Sequence, residues 1–240
     1  TLLKGTVINI LSNKKVGVTT WYKIDNNQWV SGKYVNIIND GNKNEITVTP
    51  NMSISKIQEC FKESGCTIRF TKGTYKITKT LKIYSNTTIV LDKDTVLIRK
   101  NSKQIFTNYL NPKKNYSYNA TKNVTIKGKG KLIGNGHTGT CSDISIMHCK
   151  DFTIEGITFD KTYKSHAIDI CGCDTVTIKN VTFKDRIVNK SKTHKEEVNL
   201  DFSFYSGFPY YPKGSPCFNN NHCKNIVFDN VKFDNVNVCI

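Results

Sequence analysis

From Cys66 onward the chain is built of short runs in which apolar and polar positions alternate: CTIRF, TYKI, LKIYS, TTIVLD and TVLIRK follow in quick succession. A period of two marks strands with one buried face. The runs also repeat on a longer scale. Cys149 opens CKDFTIEGITF, Cys173 opens CDTVTIKNVTF and Cys223 opens CKNIVFDNVKF, at spacings of 24 and 50 residues, one and two turns of one period. A looser copy, TKNVTIKGKGKL, begins at Thr121. Strand-and-turn repeats of this length predict a β-solenoid, in which successive coils stack the same strand into long parallel sheets.

The pattern differs at two places before Cys66. In SISKIQECFKESG, Ile54, Ile57 and Phe61 fall on one helical face, Ser55 with Gln58 fits a capping box and Gly65 stands at a natural stop. An amphipathic helix over 53–64 follows. Residues 1–38 read as short strands joined by polar turns, a small antiparallel β unit. The polar stretch 39–52, with Gly41 and Pro50, reads as a linker.

Composition narrows the class. The 240 residues are 38% hydrophobic and 22% charged, too apolar for a disordered chain, and no run of about 18 apolar residues exists to span a membrane. The start, TLLKGTVINI, lacks the layout of a signal peptide, so the chain is expected to begin after a cleavage or to be a fragment. A net charge of +16 points to a polyanionic partner or to a lysine-rich solvated surface. The lysines are scattered and no nucleic-acid motif accompanies them, so a polysaccharide or wall glycan is preferred to nucleic acid. None of the nine cysteines stands in a zinc-finger array, and no cofactor or metal is expected. Cys149, Cys173 and Cys223 share one coil position and should stack as a buried ladder. Cys60 and Cys66 are spaced for a local disulfide. Asn123, Asn180, Asn225 and Asn230 fall at coil corners as turn formers.

Residues 53–98, with Gly73-Thr74-Tyr75 leading into SNTTIVLD, resemble the start of pectate-lyase-like, polygalacturonase-type right-handed parallel β-helices. GKGKLIGNG (128–136) resembles the G-x-G-x-I-D-G-x-G turn of that family, with Gly134 in place of Asp. SIMHCKDFTIEGITF and SHAIDICGCDTVTIKNVTF resemble its next coils. The resemblance covers about 53–240 and implies an all-β parallel β-helix with a short N-terminal capping helix, cut short at the C-terminus. Trp21 to Val35 resembles the C-terminal half of a bacterial SH3-type domain, which implies a partial module over 1–38. The family's hydrolytic motifs are incomplete: Lys164-Ser165-His166 stands at the N-T-D position, EEVNLD (196–201) near the D-D position, and neither G-H-G nor R-I-K is present. The same fold serves hydrolases, lyases, epimerases and non-catalytic phage-tail or bacterial-surface proteins.

Strand alternation places the candidate chemistry. With Ile144, Ile146, Ile168, Ile170, Val198 and Leu200 inward, Ser145, Asp169 and Asn199 form one outward column and Met147, Cys171 and Asp201 the next. His166 and Glu196 lie together just before these strands. Paired carboxylates are what glycoside hydrolysis needs, so Asp169 and Asp201 are the expected acid pair, with Glu196 third and His166 assisting. Glu197, Asn199, Lys164 and Arg186 are expected to bind substrate. So are Tyr205, Tyr210 and Tyr211, on an aromatic-rich loop directly after Asp201. The expectation is an extracellular, cell-surface or virion-associated glycosidase. The alternatives are a binding-only glycan module, for which a virion trimer is conceivable, and a polysaccharide lyase.

Overall fold

The computed structural model describes residues 12–35, 45–62, 65–134, 141–187, 196–205, 208, 211–236 and 240. The chain divides into two compact units, Thr1–Asn42 and Lys43–Ile240. In the first, strands Ser12–Val16, Thr19–Asp25 and Gln28–Ser31 pair antiparallel in sequence order, and Gly32–Tyr34 forms one 3-10 turn.

The second unit is a right-handed parallel β-helix with three sheets. Sheet I stacks Leu81–Ile83, Phe106–Asn108, Ile144–Met147, Ile168–Cys171 and Val198–Asp201. Sheet II stacks Glu45–Val48, Thr67–Phe70, Thr88–Leu91, Thr121–Gly128, Cys149–Glu155, Asp174–Lys179 and Lys224–Asp229. Sheet III stacks Gly73–Ile77, Thr95–Arg99, Lys131–Ile133, Thr158–Asp160, Thr182–Lys184 and Lys232–Asp234. The solenoid therefore starts earlier than the sequence indicates: residues 45–48, read as linker, pair in parallel with Thr67–Phe70, and Val48 is fully buried.

Inward side chains fill the interior in columns. Phe159, Phe183 and Phe233 stack in successive coils of sheet III, with ring centroids 5.0 and 5.2 Å apart. Cys149 and Cys173 are buried in register and Cys223 packs against the same core, so the cysteine ladder is structural. The asparagine corners are also as expected. Asn123, Asn180, Asn225 and Asn230 all have φ between 48° and 54°, a left-handed conformation that asparagine tolerates. Asn230 then donates to Asn180 one coil away at 2.7 Å.

The helix spans Ile54–Cys60 and buries Ile57 and Phe61 over the end of the stack. Its cap is Ser53, whose hydroxyl accepts from the Lys56 amide; Ser55 plays no such part. Gln58 is engaged elsewhere. Its amide nitrogen donates to the Lys82 carbonyl at 3.1 Å and its oxygen accepts from the Lys82 amide at 2.6 Å, so it satisfies the outer edge of sheet I as another strand would. Cys60 and Cys66 are thiols, not a disulfide: Cys60 donates to the Lys56 carbonyl and Cys66 to the Cys60 carbonyl.

Candidate functional site

Sheet I carries the outward rows that alternation predicts. Asp169 lies between Ser145 and Asn199, and Cys171 between Met147 and Asp201. The face is not an open surface, however. Ser145, Met147 and Cys171 are wholly buried and Asp169 is only 6% exposed. Leu110, Phe208 and Cys217 pack over Met147 and Cys171 as a second small core, flanked by Tyr116, Tyr211 and Phe218. Leu110, Tyr116 and Ala120 from one part of the chain and Phe208, Tyr211, Cys217 and Phe218 from another therefore roof the middle of the sheet. His148 joins them: one ring nitrogen lies 2.8 Å from the Ser117 carbonyl and the other 2.7 Å from the Cys217 carbonyl. Burial lowers the pKa of this imidazole against those two carbonyls, which favour its charged form.

Asp169 is held from two sides. The Asn199 amide donates to its Oδ1 at 3.0 Å and the Cys171 thiol approaches the same oxygen at 3.5 Å. Burial raises the Cys171 thiol well above its ordinary value, and the negative charges of Asp169 and Asp201 add to the effect. The thiol thus stays protonated beside Asp169. Asp201 is half-buried and accepts from the Phe202 amide at 2.9 Å. Phe202 keeps an exposed ring, set edge-on to His222 with centroids 4.5 Å apart. Tyr205 is also exposed and stands edge-on to Phe218. His166 is nearly buried, and its Nδ1 lies 2.9 Å from the Glu196 carbonyl and 3.4 Å from the Glu196 carboxylate.

Three expected ligand groups are placed otherwise. Ala167 and Ile168 are adjacent yet both lie in the core, so alternation slips by one residue at the start of the strand. The slip puts Glu197, whose carbonyl accepts from the amides of both Ala167 and Ile168, in an inward row with Asp143. There Glu197 pairs with Arg186 at 2.8 Å, both nearly inaccessible, and Arg186 also donates to the Ser165 carbonyl. Neither faces a ligand. Tyr211 stacks on Phe208 at 6.1 Å and donates to the Leu110 carbonyl; burial pushes its phenol up to about 12. Lys164 places its ammonium 5.3 Å from the Tyr163 ring centre. Leu200, expected inward, is 41% exposed on the outermost described strand of sheet I. Tyr210 lies outside the described residues.

The inward row forms a buried charge cluster that the repeat does not reveal. Arg99 of sheet III lies 3.5 Å from Asp143 and donates to the carbonyls of Gly134 and Cys141. Thr162 donates to the other oxygen of Asp143 at 3.5 Å. Gly134 gives this carboxylate its space, since a Cβ there would come within 2.7 Å of both oxygens. Burial pushes Asp143 up to about 7, opposed by Arg99 and reinforced by Glu197, and burial likewise raises Glu197 against its Arg186 hydrogen bond. No cluster of His, Cys, Asp and Glu suited to a metal ion occurs among the described residues, and no described helix is long and apolar enough to cross a membrane.

These features define a right-handed parallel β-helix with a roofed sheet face, and solved structures share that fold. The surface adhesin PfbA of Streptococcus pneumoniae matches with a TM-score of 0.58 at 19% identity, over 74% of this chain and 44% of that one. A candidate glycosyl hydrolase from Parabacteroides merdae matches with a TM-score of 0.50 at 17% identity, over 79% of this chain and 95% of that one. The family 28 exopolygalacturonase of Yersinia enterocolitica matches with a TM-score of 0.48 at 10% identity, over 77% and 53%. The chain thus spans less than half the length of the adhesin structure. No family model and no curated protein sequence matches it.

Proposed function

We propose that the protein is an extracellular glycan-active β-helix, a glycoside hydrolase that works at the C-terminal end of the sheet I face with Asp169 and Asp201 as its acid pair. The observation that carries this reading is the register that sets Asp201 one coil beyond Cys171, whose thiol approaches Asp169 Oδ1 at 3.5 Å. Asp201 stands one coil beyond Asp169 and two residues further along the strand. With coils about 4.8 Å apart and a rise of about 3.3 Å per residue, their Cα atoms are about 8 Å apart. Side chains leaving one face at that Cα spacing can set their carboxyl groups at the roughly 6.5–9.5 Å of an inverting mechanism, with a water between them. One carboxyl protonates the glycosidic oxygen, and the other takes a proton from the water as it attacks the anomeric carbon. Asn199 orients Asp169. The exposed rings of Phe202 and Tyr205 offer faces to a sugar ring next to Asp201. Glu196 and His166 position one another at the strand entrance.

A second reading, glycan binding without turnover, is favoured by the roof over the sheet: the middle of the face is buried, and Glu197, Arg186 and Tyr211 are engaged within the protein. Incubation with a panel of acidic and neutral polysaccharides, read by reducing ends and by unsaturated uronate, separates the readings. Hydrolysis predicts reducing ends without unsaturated product, and a loss of about 100-fold or more in Asp169→Asn and Asp201→Asn. Equal product from wild type and both variants rejects this acid pair. Retention on a polysaccharide with no product supports the binding module.

A further inference from the structure

The outward rows of sheet I continue beyond the roof toward the N-terminal coils. Thr107 pairs with Ser145 on one side and Lys82 on the other, which extends the Asp169 row to Lys82. In the parallel row the Tyr109 amide donates to the Ile83 carbonyl, and the Tyr109 ring stacks on Tyr84 with centroids 4.8 Å apart and planes at 17°. Tyr109 is 42% exposed, unlike Met147 and Cys171 further along the same face. Beside this pair a cleft of about 400 Å³ opens between the capping helix and strand Leu81–Ile83, lined by three lysines, Lys62, Lys79 and Lys82, against one carboxylate, Glu59, with Gln58 and Tyr84 among the others. Gln58 grips the Lys82 backbone in both directions, so the floor of the cleft is fixed. Among the described residues, no carboxylate lies within ion-pair distance of Lys62, Lys79 or Lys82.

We infer that the Tyr84–Tyr109 stack and Lys82 form a subsite for an acidic sugar, three coils before Asp169. A coil step of about 4.8 Å puts it about 14 Å away along the face. A stacked pair of phenol rings presents a rigid aromatic surface at little entropic cost, suited to the apolar face of a pyranose. The ammonium groups around the cleft supply a counter-charge that a neutral sugar does not need, which selects a carboxylate or sulfate ester on the ring. The inference rests on the glycan reading but holds whether the protein cleaves its ligand or only binds it.

The test is affinity of the full chain for polygalacturonate, a sulfated galactan and neutral dextran, measured at low and high salt. Three variants are compared: Tyr109→Ala, Lys82→Met and, as a matched charge control, Lys127→Met on the exposed face of sheet II. All three side chains are exposed, and unchanged melting temperatures confirm that each variant folds. The expected result is binding to at least one acidic polymer, weakened about tenfold or more by Tyr109→Ala and by Lys82→Met, unaffected by Lys127→Met and reduced by salt. Whichever acidic polymer binds identifies carboxylate or sulfate as the group read. Wild-type binding that survives Tyr109→Ala and Lys82→Met, or that falls equally with Lys127→Met, overturns the subsite and leaves the glycan reading standing. Equal affinity for dextran overturns the selection of an acidic sugar. Binding to none of the three polymers overturns the glycan reading and the subsite with it.

Discussion

Asp143 gives the solenoid a pH-dependent stability that one substitution should remove. Its carboxyl is fully buried beside Arg99, and burial pushes its pKa from 3.8 to about 7. The folded state therefore holds this proton more tightly than the unfolded chain does. Its favourable contribution is complete below about pH 3.8 and is lost as the pH rises through about 7. Linkage puts the loss from this group between pH 5 and pH 8 on the order of 2 to 3 kcal/mol. Asp143→Asn keeps the shape and the hydrogen-bonding capacity toward Thr162 but cannot ionise. It leaves Arg99 without a counter-charge, so its absolute stability at any one pH is not the readout. The informative quantity is the slope. Urea unfolding of wild type and Asp143→Asn at half-unit steps from pH 5 to 8 should give a steeper fall for the wild type, with the difference growing toward pH 8. Glu197 is raised in the same direction, so a smaller slope of the same sign remains in the variant. Parallel profiles for the two proteins would refute the reasoning.

Other consequences can be checked alongside. Phe183 is the middle ring of the sheet III stack, and Phe183→Ala should cost about 3–5 kcal/mol in denaturant unfolding; a loss below about 1 kcal/mol would show that the coils close over the gap. Gly128 has φ 132°, and a Cβ there would clash with the Leu91 carbonyl oxygen, so Gly128→Ala should destabilise by on the order of 3 kcal/mol and lower the melting temperature. His148→Ala removes the link between the Ser117 and Cys217 carbonyls and should speed amide exchange in the segments around both residues, while exchange in sheet II strands stays unchanged.

The architecture was legible because it is periodic. A recurrence of 24 residues with strand alternation was enough to align Ser145, Asp169 and Asn199 in one row and Met147, Cys171 and Asp201 in the next, and the structure pairs them so. Reading fails where the period is interrupted. Consecutive core residues Ala167 and Ile168 shift the phase at a strand entrance, which turns Glu197 inward, and no single-strand pattern announces that slip. The Arg99–Asp143 pair joins different sheets across an irregular connection, so neither residue signals the other by spacing. The aromatic loop looked like a sugar platform, yet its Tyr211 closes a small core with Leu110, a partner about a hundred residues away that composition cannot name. Tyr84 and Tyr109 continue the Cys171 row toward the helix, but Tyr109 stands 38 residues before Met147, so the 24-residue period does not announce it.

The corners of the solenoid differ from the stacked strands in what they tolerate. From sheet I to sheet II the chain passes through His148 alone in one coil, yet through everything between Asp201 and Lys224 two coils later. From sheet III to sheet I the gaps run from Ile133 to Ile144, from Asp160 to Ile168 and from Lys184 to Val198. The ladder beneath stays in register through all of these changes. Insertion length is thus uncoupled from the scaffold, and it is concentrated along the borders of a single face. The covers on that face can be lengthened or trimmed without touching the stack that fixes stability, so the face can change its shape and chemistry while the ladder keeps its register.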